Sequence, residues 1–196
     1  YYTKRWRLEP SDNDAYARGE KVEPKKPIVI YMDSLVPPAW KSYVREGIEA
    51  WNTAFAEIGF KNVIRVLDFP KDDPDFNAND IAHSVVRYSP SWSYMPQNSL
   101  LVDPRSGEIL NASIYIHNNS VSVMQRERIL ATMGADPSVR RTQLSDNQAG
   151  ELIRAAMIQY MGMNLGLLPN FAASNAYPVD YARTRVDGFH YGPDAI

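Results

Sequence analysis

The stretch that most constrains this chain is Gln148–Phe171, QAGELIRAAMIQYMGMNLGLLPNF, which predicts one long helix ending in a glycine-containing turn. Its start has a mechanism. Ser145 followed three residues later by Gln148 fits a capping box, and Asp146 adds negative charge at the helix's positive end. Leu152, Ile153, Ala156, Met157 and Tyr160 then form one apolar stripe that must face a core. Gly162 and Gly166 are expected to loosen the helix and turn the chain away.

A core helix by itself has no function, but the spacing within this one carries information. Gln159, Tyr160, Met163, Gly166 and Pro169 occupy the five defining slots of H-E-x-x-H-x-x-G-x-x-H, the metzincin zinc-peptidase signature. In that motif two histidines four residues apart share a helix face, and the glycine lets a third histidine close the site. The glutamate acts as general base on the zinc-bound water. Only the glycine is present here.

The surroundings extend the match. The chain resembles a family of large bacterial secreted metzincin-like zinc-dependent peptidases, whose active helix reads approximately HEVGHTLGLRHNF. Gly162, Leu165, Gly166, Leu167, Asn170 and Phe171 match it, while Gln159, Met163 and Pro169 replace the ligands and Tyr160 the base. The blocks WRLEPSDNDAYARGEKVEPKKPIV, YVREGIEAWNTAF, VDPRSGEIL and AYPVD carry the resemblance over nearly the whole chain. It implies an α/β (α+β) metzincin-like fold: a mixed, mostly parallel twisted sheet with an antiparallel edge strand, packed on two long helices. It implies zinc for the family. The residues present argue against zinc here, because an amide is a poor substitute for imidazole, a thioether suits soft ions such as Cu(I), and proline has no donor. A phenol titrating near pH ~10 is a poor base at neutral pH.

Composition sets wide bounds. A chain of 196 residues, 44% hydrophobic, can bury a sizeable core as one domain with extensions. A formal charge of −2 gives no electrostatic reason to expect nucleic acid as a partner, and no run reaches the length of a membrane span. The absence of cysteine removes disulfides and thiolate metal sites. The chain opens at Tyr1 without a signal peptide, and family members are much larger, so the expectation is a piece of a longer protein. The resemblance implies export to the periplasm or cell surface.

In chain order, residues 1–27 read as a polar lead-in that packs over the domain, with Lys21, Lys25 and Lys26 as a solvated basic cluster. Residues 28–171 form the metzincin-like domain and 172–196 an irregular segment. Ile28–Met32 (IVIYM) is expected to be a strand buried on both faces. Pro37 and Pro38 open one amphipathic helix through Trp40, Val44, Ile48, Trp51, Phe55 and Ile58, stopped by Gly59. Val63–Phe69 and His83–Tyr88 read as the next strands, and strand, helix, strand implies a parallel crossover. Between them Asp73, Asp75, Asn77 and Asn79 imitate a calcium loop. Ala78 and Ser84 stand where that loop needs glycine and glutamate, so a polar surface loop is expected.

Ser99–Val102 and Ile109–His117 flank the turn DPRSG as an antiparallel edge strand and an interior strand. In metzincin-like folds this edge pairs with extended peptide substrate, so Ser99, Leu100, Leu101 and Val102 are candidate peptide-binding residues by strand addition. The competing reading is an edge covered by the chain's own loops. Ser120–Met133 predicts a further helix, and Val179 precedes Asp180-Tyr181 where the family's Met-turn methionine would fall. His83, His117 and His190 stand apart, each read as a surface or hydrogen-bonded residue rather than a ligand. Three functions follow: a zinc-free pseudoenzyme domain that binds an extended peptide or protein segment or serves as scaffold, an active zinc metalloendopeptidase with unorthodox ligands, or a structural module with a filled cleft.

Overall fold

The structure, a computed structural model, describes residues 3–91 and 97–168. Five strands form one sheet: β1 (Ile28–Met32), β2 (Ile64–Asp68), β3 (Ser84–Ser89), β4 (Gln97–Val102) and β5 (Ile109–His117), in the order β2-β1-β3-β5-β4. Neighbours pair in parallel except β4, which runs antiparallel to β5 at one edge. The expected mixed, mostly parallel sheet is therefore present, with β5 interior. The strand β4 starts two residues before the expected Ser99, and β3 is displaced by one from the expected start at His83.

That displacement has a local cause. Parallel pairing of β3 with β5 begins only at Val86 opposite Ile114. Below it serine hydroxyls bridge the strands, Ser84 Oγ accepting from Ala112 N–H (3.0 Å) and Ser113 Oγ from Val85 N–H (3.3 Å). The His83 ring instead packs against Phe76 at 4.7 Å and Tyr31 at 5.5 Å. The same aromatics correct the reading of β1 as buried on both faces. Ile28, Ile30 and Met32 are buried against helices, whereas Val29 and Tyr31 are only half-covered on the other face. A loop, not a helix, lies over Tyr31, through the Phe76 ring 5.0 Å away. In that loop Asp73, Asn77 and Asp80 accept hydrogen bonds from the backbone two residues on, which folds the calcium-like run into successive side-chain-capped turns. Among the described residues no three His, Asp or Glu side chains converge as a metal site.

The expected single helix after Pro37 is two: α2 (Pro38–Glu49) and α3 (Asn52–Glu57), numbered after the short α1 (Asn13–Ala17). The break at Ala50–Trp51 falls where side chains take up long-range bonds. Trp51 is buried and donates its indole N–H to Ile158 O at 2.9 Å, and the Asn52 amide bonds both N–H and C=O of Ile64, each at 2.9 Å. After α4 (Asn118–Thr132) and a single 3₁₀ turn (Pro137–Val139), α5 (Asp146–Asn164) crosses the sheet. Its capping box is complete, with Ser145 accepting from Gln148 N–H and Gln148 accepting from Ser145 N–H.

The buried face of α5 is wider than the expected stripe. Ile153 and Met157 are buried as predicted, Leu152, Ala156 and Tyr160 are half-covered, and Ile158, Met161 and Gly162 are buried as well. The reason is that α5 packs against α2 and Trp51 as well as against the sheet. Gly162 does not loosen the helix. It lies inside it, where a Cβ would come within 2.7 Å of the Trp51 ring. Gly166 does end it: at φ +98° it places Gly166 N–H on Met163 O and Leu167 N–H on Gly162 O, the paired bonds of a Schellman turn.

The lead-in is a strap fastened at three places. Arg5 bonds the start of β5 through Gly107 O and Ile109 N–H, Trp6 donates its indole N–H to Asn164 O at 2.9 Å, and Val22 pairs beside Phe60.

Candidate functional site

On α5, helical spacing brings Gln159 and Met163 to one face. Gln159 is exposed, and Met163 and Tyr160 are half-buried. Pro169 and Asn170, the third ligand slot and its neighbour, lie outside the described residues, as do Val179, Asp180 and His190. The donors that remain are a neutral amide oxygen, a thioether sulfur and a phenol, a set that does not fit Zn²⁺. Burial pushes the Tyr160 phenol above its ordinary value, so it is protonated at neutral pH and cannot accept a proton from water.

Beside this helix runs the edge strand. In β4, Asn98 lies opposite Ile114 and Leu100 opposite Ala112, so both lean toward the helical side, while Ser99 and Leu101 are exposed on the other face. Val102 is half-buried at a register shift that ends the strand. Asn98 joins the strand to the helix, donating through its amide to Asn164 Oδ1 at 3.2 Å. Asn164 is fully buried, and its Nδ2 has no partner among the described residues. The end of α5, the edge strand and the strap thus meet at one asparagine.

The two edges of the sheet are finished differently. The outer backbone of β2 is occupied by side chains from α2 and α3: Asn52 on Ile64, Glu49 Oε1 accepting from Val66 N–H at 2.8 Å, and Arg45 donating to Val66 O. No partner strand can add there. Along β4, among the described residues, no group outside β5 hydrogen-bonds to the backbone, and the sequence QNSLLV carries no charge or proline to discourage pairing.

Of the two readings given for His117, surface or hydrogen-bonded, the structure shows the second. His117 is buried at the end of β5, its Nδ1 at 3.2 Å from Ser89 O, so Nδ1 carries the proton and donates. His83 is hydrogen-bonded as expected, through Nδ1 and Asn77 O at 2.9 Å. Neither lies on α5 with Gln159 and Met163. Sequence reasoning missed Asn98, Asn164 and the caps on β2, because each acts on a partner 12 or more residues away and none has a local signature. No protein-family model, curated protein or solved structure matches this chain.

Proposed function

We propose that this chain is a metzincin-like domain that has lost zinc chemistry and binds an extended peptide along β4. The observation that carries the reading is the unequal treatment of the two sheet edges, one closed by three side chains and the other left uncharged and uncapped among the described residues. Strand addition takes its affinity from backbone hydrogen bonds and its selectivity from alternate side chains, so it needs no metal. Here Ser99 and Leu101 would meet one face of the incoming strand and Asn98 and Leu100 the other. The mixed sheet with its antiparallel edge and the long helix behind it support the metzincin-like reading, as does the survival of Gly166 as a left-handed turn. The same resemblance implies a periplasmic or cell-surface location, which we carry as part of this proposal. Among the described residues no helix is long and apolar enough to cross a membrane.

A peptide-array screen followed by hydrogen–deuterium exchange tests the edge. Bound peptide should slow exchange of β4 amides, and Leu101→Lys should abolish that protection. A ligand that protects some other element, or no ligand at all, would leave a scaffold role instead. Metal analysis tests the second half: stoichiometric zinc at Gln159 and Met163 would return the chain to the active peptidases.

A further inference from the structure

At the end of the sheet opposite the loops that follow the parallel strands there is a notch. The central strand β3 starts late, its first partner on β1 being Ile30, so among the described residues no strand pairing joins Ile28 at the start of β1 to the first residues of β5. The strap spans this gap, with Arg5 bridged to Glu108. It does not fill it. A cavity of about 190 Å³ remains, with apolar walls from Trp6, Ile28 and Leu110, and a second hollow of about 340 Å³ shares Trp6, Arg7 and Glu108 with it.

The charges at its mouth are unbalanced in a defined way. Glu108 is paired with Arg7 at 3.0 Å and Glu9 with Lys25 at 3.5 Å. Both carboxylates of the lining are thereby matched. Lys26, which also lines the cavity, is exposed and has no partner among the described residues. A hollow lined by both apolar and charged side chains, with Lys26 the unmatched charge among them, favours a ligand with a small apolar body and a single negative charge.

We propose that this notch binds small carboxylates with a branched apolar body, the body against Trp6, Ile28 and Leu110 and the carboxylate at Lys26. A free short-chain acid and the C-terminus of a peptide ending in an aliphatic residue share this chemistry. The proposal is independent of the zinc motif and of β4.

The Trp6 indole N–H, fixed on Asn164 O, is a reporter beside the cavity. Full-chain protein is titrated with 4-methylpentanoate and with its carboxamide, followed by nuclear magnetic resonance. Two further arms are a tetrapeptide ending in leucine with its carboxylate free, and the same peptide amidated. A ligand of this size on an open site should bind with a dissociation constant on the order of 1 mM. The carboxamide and the amidated peptide should bind about two- to fivefold more weakly, the range that one exposed charge pair supplies. Lys26→Glu should lose the preference and Lys26→Arg should keep it, with the unliganded spectrum of each variant reporting the fold. A response to either carboxylate supports the proposal and names its source. Equal response to acid and amide, a preference that survives Lys26→Glu, or a silent Trp6 at about 20 mM ligand overturns it.

Discussion

Gly166, Gly162 and Gly150 show how much one hydrogen in place of a methyl decides in this molecule. At Gly166 the backbone is left-handed, and a Cβ would also collide with the carbonyl of Lys4, which cannot swing aside as a side chain would. Gly166→Ala should therefore destabilise by about 2–4 kcal/mol and loosen the strap, read by chemical denaturation. Gly162 is helical, so alanine gains about 1 kcal/mol of propensity there. Overpacking against Trp51, which is held by its bond to Ile158 O, costs about 1–3 kcal/mol and should win. At Gly150 the obstacle is the far end of the Tyr43 ring, which can rotate outward at the expense of an exposed bond to Asn147, so Gly150→Ala should cost less than Gly162→Ala. Tyr160 makes a different prediction. Its phenol, raised by burial, should ionise above the ordinary range of a phenol in an ultraviolet titration, and Tyr160→Phe should remove that late step.

At the scale of elements, the caps on β2 have two roles that a single variant separates. Asn52→Ala removes both bonds to Ile64 and leaves an N–H and a C=O on the strand's outer side. A loss of about 1–3 kcal/mol is expected, measured by denaturant midpoint. The opened edge should also raise aggregation at constant temperature, which Asn52→Asp, able to hold only the N–H, should partly share. The start of α5 is a simpler case. Ser145→Ala removes the acceptor of Gln148 N–H and should cost about 1 kcal/mol without altering the sheet.

For the whole molecule, acid should act on the strap. Glu23, on the strap, ties it to the start of β2, accepting from Asn62 Nδ2 at 2.7 Å and Arg65 at 2.8 Å. The Asn62 bond chiefly, and then the Arg65 charge, hold its carboxyl below the usual range. A lowered pKa means the folded state favours the carboxylate. The stabilisation is present in full above the unfolded carboxyl's pKa and is lost as pH falls through the lower folded value. Glu23→Gln should therefore flatten the acid limb of a stability–pH curve. The zinc reading is tested at this scale too. The quadruple reversion Gln159→His, Tyr160→Glu, Met163→His and Pro169→His should gain stoichiometric zinc if the remaining architecture has the shape that the motif requires. A folded reversion without zinc would mean that the cleft was reshaped as well as disarmed.

The amino-acid sequence by itself determined the elements whose causes are local. These are the capping box at Ser145 and Gln148, the glycine stop at Gly166, the proline start of α2, the bounds of β1 and β5, and the hairpin that makes β4 antiparallel. It also determined what the slots at Gln159, Tyr160 and Met163 can donate, since donor chemistry belongs to the side chain wherever it sits. Only the tertiary structure decided which edge of the sheet is closed, why Gly162 is a glycine, where the helix after Pro37 breaks, and that Asn98, Asn164 and Trp6 meet. Each of those depends on atoms brought together from distant parts of the chain, and hydrophobic periodicity records which residues are buried but not what they are buried against.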